Sequence, residues 1–223
     1  MTAARAPIAA AAKAQVETWK TLGATSGAQR ALALGRCGPD MARAVLADLS
    51  PADLILLHQG AAPRGRFQTS SQPLSDLAQE TPGAFDLILV DGVLEEGDLS
   101  DVRNRARNLH RLLAPGGVLA ATIETLAAPL EGEARPFDIL LFPHLARAGD
   151  MGETAQTRPP LSASAWRALL QATGFEITGV HGIGDQTLPQ DFIDAHGARL
   201  AAYDAGELAS GRLALVARKG GSS

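Results

Sequence analysis

The sequence has a single cysteine, Cys37, so it can form neither an internal disulfide nor a cysteine-rich zinc site. That usage fits a reducing compartment, and a cytoplasmic location is expected. Aromatic residues make up only 4% of the chain, which leaves few platforms for stacking single-stranded bases. Positive charge is not in excess either: the formal net charge is −4, so no basic footprint for a phosphate backbone is present and a nucleic-acid partner is not expected. Long apolar runs are missing as well. Lys13 interrupts even the alanine-rich opening, and nothing approaches the roughly 20 residues of a spanning helix, so no membrane insertion is expected. Walker loops and nucleophile elbows are absent, and His110, His181 and His196 lack metal-ligand spacing, so no metal is expected.

What remains is an ordinary globular composition, 46% hydrophobic and 20% charged, in 223 residues. That length suits one core burying roughly 70% of the unfolded surface. Residues 1–16 carry Arg5 and Lys13 without an acid, a balance similar to a transit peptide, but an amphipathic opening helix ending near Trp19 accounts for the same residues. The expected organisation is an N-terminal helical extension over 1–24, a domain over 25–219 with a substrate or lid segment near 125–160, and a flexible tail over 220–223.

Nearly continuous apolar runs of strand length occur at residues 31–35, 53–58, 85–91 and 117–124. Their lack of alternation implies strands covered on both faces, the pattern of a parallel sheet built from βαβ units. A weaker run at 66–70 and two later ones at 175–182 and 212–218 bring the expected number to seven. Between them, Leu99, Val102, Ala106, Leu109 and Leu113 step by three and four residues along one helix face, with Ser100 as a possible cap and Pro115-Gly116 as the stop. A second helix is expected from Ser162, where Leu161 and Trp166 can form a hydrophobic staple and Gly174 ends the run. Others are expected over 39–48, with Pro39 at the first helical position, and over 190–203.

The run Phe85-Asp86-Leu87-Ile88-Leu89-Val90-Asp91-Gly92-Val93-Leu94 is followed, after one helix, by Leu112-Leu113-Ala114-Pro115-Gly116-Gly117-Val118-Leu119. Together they resemble the fourth- and fifth-strand motifs of class I S-adenosylmethionine-dependent methyltransferases, and residues 161–180 resemble the capped helix, Gly-Phe pair and sixth strand that follow in that family. The resemblance spans about residues 25–219. It implies an α/β, Rossmann-like three-layer sandwich: a seven-stranded, mostly parallel sheet whose last strand is antiparallel. It also implies S-adenosylmethionine as cofactor, bound beyond the carboxyl ends of the strands.

The cofactor loop is expected at Leu32-Ala33-Leu34-Gly35-Arg36-Cys37-Gly38-Pro39-Asp40. The glycine-rich pattern is degenerate here, and Ala33 stands where the family places an acid. Both changes weaken the expected hold on the methionine half of the cofactor, although the helix N-terminus after Pro39 can still present N–H groups to a carboxylate. Gly35, Arg36, Cys37 and Gly38 are therefore candidate cofactor residues, with the alternative that the two glycines only make a strand-to-helix turn. His58 and Gln59 take the position at the end of the second strand where the resemblance implies a ribose contact, without the usual charge. Asp76 or Gln72 can meet the adenine amino group, although plain surface placement is the expected reading for both.

Asp91 lies where donor and acceptor would meet, and can orient a substrate or cap the turn at Gly92. In the segment 124–160, Asp138, His144 and Arg147 lie close in sequence, and His144 can take a proton from an oxygen or nitrogen nucleophile, because an imidazole titrates near neutrality. A structural histidine is the alternative. Asp91 and His144 are the candidate catalytic pair. The expected activity is methyl transfer to a small-molecule or lipid-like acceptor; the alternative is a non-catalytic methyltransferase-like protein that binds or scaffolds a protein partner.

Overall fold

The computed structural model describes residues 5–24, 27–36, 38–58, 65–125, 128, 161–183, 188–201, 203 and 210–220. Its strands are β1 (Arg30–Gly35), β2 (Asp53–Leu57), β3 (Gln68–Ser70), β4 (Phe85–Asp91), β5 (Leu113–Glu124), β6 (Phe175–Ile183) and β7 (Arg212–Lys219). They form one seven-stranded sheet in the order β3-β2-β1-β4-β5-β7-β6. The first five pair in parallel, whereas β7 runs antiparallel to both β5 and β6. This is the architecture expected from the sequence.

The helices are α1 (Arg5–Thr21), α2 (Gly38–Asp48), α3 (Leu74–Glu80), α4 (Leu99–Leu112), α5 (Ala163–Ala172) and α6 (Gln190–Leu200). They split the core in two because successive strand residues point to opposite faces. On one face Ala31, Ala33, Leu54, Leu87, Leu89 and Val118 pack against Ala12, Val16 and Trp19 of α1 and Met41 and Val45 of α2. On the other, Leu32, Ile88, Val90, Leu119 and Leu215 pack against Val102, Ala106 and Leu109 of α4 and Trp166 and Leu170 of α5. Apolar covers on both sides explain why the central strands read as unbroken hydrophobic runs. Trp19 is fully buried, and its indole N–H donates to the Ala121 carbonyl at 3.2 Å, anchoring α1 on the sheet.

Local signals set the ends of these elements. Asp98, not Ser100, caps α4: its carboxylate accepts from the N–H groups of Ser100 and Asp101, while Asp101 reciprocates on the Asp98 N–H. An ionised acceptor facing the helix N-terminus outcompetes a hydroxyl two residues later. Ser162 caps α5 as expected, and Gly174 ends that turn with φ +103°. In β5, Leu113 pairs with Phe85, but the next partner pair is Leu87 and Val118. Residues 114–117 therefore bulge out of the ladder around Gly116, whose φ is +74°.

Candidate active site

Parallel strands end together, so the order β2-β1-β4-β5 brings the residues after Gly35, Leu57, Asp91 and Glu124 to one rim. The antiparallel β7 contributes its first residue, Arg212, to the same rim, opposite Glu124. Among the candidates named from sequence, Gly35, Arg36, Gly38, His58 and Asp91 are described; Cys37, Gln59 and His144, with Asp138 and Arg147, lie outside the described residues.

The β1–β4 junction is tight. A Cβ on Gly35 would lie 2.2 Å from the Asp91 carbonyl oxygen, and the Gly35 φ is +133°. The Arg36 N–H donates to that same carbonyl at 2.9 Å. Close strand packing thus requires glycine at 35 whether or not a ligand approaches. Gly38, the first residue of α2, has φ +42° and open space where its Cβ would project.

Asp91 is 1% exposed, and its side chain points toward α1. Its Oδ1 accepts from Gln15 Nε2 at 2.8 Å and lies 3.5 Å from Arg212 Nη2. The same Gln15 amide also donates to Thr122 Oγ1. A carboxylate taken this far from water is kept by such partners, here drawn from α1, β5 and β7.

Arg36 crosses the end of β4. Its side chain rests on Gly92, where a Cβ would meet the Arg36 Cδ and Nε at 3.0 Å, and its Nη1 donates to Glu124 Oε1 at 2.8 Å. The Glu124 carbonyl in turn accepts from the Trp166 indole at 3.2 Å, which ties the rim to α5.

Glu95 completes the group and was not singled out by the sequence. It is 1% exposed; its Oε1 accepts from the Glu124 N–H at 3.3 Å, while its buried Oε2 has no hydrogen-bond partner. Burial pushes its carboxyl up to about 7, the Glu124 carboxylate adds to that, and backbone N–H groups and Arg36 oppose it. The sequence signal was an acid directly after Leu94, a residue that is itself fully buried. Gln15, Glu124 and Arg212 carried no local signal, since each reaches the rim from a distant element.

At the end of β2, the His58 N–H donates to the Ser70 carbonyl at 2.9 Å, continuing the β2–β3 pairing. Its ring Nδ1 is buried without a hydrogen-bond partner. Three unsatisfied polar atoms therefore flank the rim among the described residues, on His58, Glu95 and Arg212, where an open α/β sheet receives ligands. No group of three His, Cys, Asp or Glu side chains able to hold a metal occurs among the described residues, and no described helix is long and apolar enough to cross a membrane.

No protein-family model matches the sequence, and no curated protein matches it significantly. Solved structures do match the fold. An S-adenosylmethionine-dependent methyltransferase from Mesorhizobium loti is 18% identical with TM-score 0.56, covering 91% of this chain and 96% of its own. The 1,6-didemethyltoxoflavin-N1-methyltransferase of Burkholderia thailandensis, solved with 1,6-didemethyltoxoflavin and S-adenosylhomocysteine, is 16% identical with TM-score 0.57 over 98% and 79% of the two chains. The [4+2]-cyclase SpnF is 19% identical with TM-score 0.58 over 92% and 81%. The chain has the fold of class I S-adenosylmethionine-dependent methyltransferases.

Proposed function

We propose that this chain is an S-adenosylmethionine-dependent methyltransferase acting on a small-molecule or lipid-like acceptor. Fold alone does not fix activity, and the cyclase above shares this one. The observation that carries the reading is the set of buried, unpartnered polar atoms, His58 Nδ1, Glu95 Oε2 and Arg212 Nε, beside the strand ends where the fold receives a ligand. Such atoms are costly when nothing satisfies them, and a polar nucleotide-like ligand supplies partners.

The residues present fit that group. Gly35, Arg36, Cys37 and Gly38 would hold its amino-acid half, helped by the backbone N–H groups at the start of α2. His58 and Gln59 would meet its ribose hydroxyls. When bound, the cofactor supplies an electrophilic methyl group on a sulfonium centre. The protein's own contribution is alignment and exclusion of water. Asp91, whose Oδ1 accepts from Gln15 and lies near Arg212, would orient the acceptor. His144, in the segment near 125–160 that the sequence offers as a substrate or lid segment, would take the proton that an oxygen or nitrogen acceptor loses.

Calorimetric titration with S-adenosylmethionine and its demethylated product tests the reading. Saturable micromolar binding supports it. Silence with both would return the fold to a scaffold that binds a protein partner.

A further inference from the structure

Helix α4 is strongly basic in a chain whose formal net charge is −4: it holds Arg103, Arg105, Arg107 and Arg111 against the single acid Asp101. Val102, Ala106 and Leu109 are fully buried on its inner side, and Arg105 is occupied with the Leu94 and Glu96 carbonyls at 3.0 and 2.9 Å. The other three arginines are exposed. They recur at every fourth residue and so form one outward stripe about 12 Å long. Leu99, 36% exposed, heads the same stripe one turn before Arg103.

Helix stability does not account for this stripe. Like charges four residues apart repel and disfavour a helix. The helix dipole favours Arg111, which lies in the last turn, but not Arg103 close to the first. Arg107 reaches only the neutral Asn104 amide oxygen, at 3.3 Å, and none of the three forms an ion pair among the described residues, not even with Asp76 or Glu80 of the adjoining α3. Asp101 is engaged in the capping box with Asp98. Three unneutralised guanidinium groups in a row are complementary to an extended anionic surface, because each fork of N–H donors fits a phosphate.

What the stripe lacks decides between anionic occupants. A protein interface needs a buried apolar core, yet Leu99 is the only large hydrophobic residue exposed on α4. Single-stranded nucleic acid needs stacking platforms, and α4 has no Phe, Tyr or Trp. An anionic lipid surface needs neither, since each arginine near the headgroups adds its own attraction. Screening over about 10 Å at 0.1 M salt also lets the stripe act apart from the acidic remainder of the chain. We infer that the Leu99, Arg103, Arg107 and Arg111 face of α4 docks the protein on an anionic lipid surface, with the guanidinium groups on phosphates and Leu99 at headgroup level. The turn after β4, whose carbonyls Arg105 holds, leads into this helix, so docking brings the rim beside that surface. Docking of this kind does not depend on methyl transfer.

The experiment is co-sedimentation of the wild-type chain with vesicles of pure phosphatidylcholine and of phosphatidylcholine mixed equally with phosphatidylglycerol, at about 0.05 M and about 0.5 M salt. Binding to the anionic vesicles alone, lost at the higher salt, is expected. The triple variant Arg103→Gln, Arg107→Gln, Arg111→Gln should weaken it roughly hundredfold, at about fivefold per arginine, whereas Arg103→Lys, Arg107→Lys, Arg111→Lys should keep most of it. Lys13→Gln, Lys20→Gln, Arg66→Gln removes the same charge from exposed positions elsewhere and should also keep most of it. No binding to anionic vesicles at low salt, equal binding to both vesicles, or an equal loss in the two glutamine triples overturns the docking face. Capture of the wild type by poly-L-glutamate without vesicle binding overturns it too, and assigns the stripe to an acidic polypeptide. The comparison of vesicles and salts uses the wild type alone, so a folding defect in a variant leaves the inference open to refutation.

Discussion

Gly35 and Asp91 meet backbone to backbone, with the space for a Gly35 Cβ only 2.2 Å from the Asp91 carbonyl oxygen. Gly35→Ala must push β1 from β4 at the center of the sheet and also hold alanine at φ +133°. A loss of roughly 3 kcal/mol or more in denaturant unfolding is expected. A loss under about 1 kcal/mol would mean that the two strand ends part easily.

Trp166 links stability to the site, because it is fully buried and its indole N–H holds the Glu124 carbonyl. Trp166→Ala should cost roughly 3 kcal/mol or more, from the cavity and from the carbonyl left without its donor. Trp166→Phe should recover most of the packing. If both variants cost the same, packing is not the main contribution of this ring.

Glu95 gives a pH dependence with a definite sign. Its carboxyl is raised from 4.5 to about 7 in the folded protein. The folded state therefore holds the proton more tightly, so the contribution is fully present below 4.5 and is lost as pH rises through 7. Its size is about 3 kcal/mol at most. Glu95→Gln should remove this slope and raise the melting temperature at about pH 8 by several degrees. A variant that parallels wild type from acid to alkaline pH would contradict the burial of an uncompensated carboxylate.

Much of the fold was legible because its signals are local. Residues 85–91 read as a buried strand since Leu87, Ile88, Leu89 and Val90 are all fully covered, and the α4 helix read from an apolar stripe that the structure buries at Val102, Ala106 and Leu109. The α3 helix escaped notice because it is short, with only Leu77 and Ala78 buried. The site was less legible. Gln15 reaches Asp91 across 76 positions and Arg212 across 121, distances at which no spacing rule connects residues. Glu95 hid for a different reason: an acid in a polar turn reads as exposed, and only the tertiary fold, which sets its Oε1 on the Glu124 N–H, removes it from water.

On the acceptor side, Asp91→Asn and His144→Gln should lower kcat with little change in affinity for S-adenosylmethionine. If either group aligns or deprotonates the nucleophile, its loss acts on the transition state, typically by ~100-fold or more for a general base. Asn at 91 keeps the shape that Gln15 and Arg212 grip, so folding should survive. Unchanged turnover in both variants would move the catalytic assignment to other polar residues of the segment 124–160.

The central claim, that this rim holds the sulfonium cofactor, is tested most directly by titrating wild-type protein and His58→Ala with S-adenosylhomocysteine in one calorimetric series. Binding in the micromolar range by the wild type, weakened about tenfold when the unpartnered His58 ring is removed, is the expected result. No saturable heat up to about millimolar ligand, or wild-type binding that His58→Ala leaves unchanged, would contradict it.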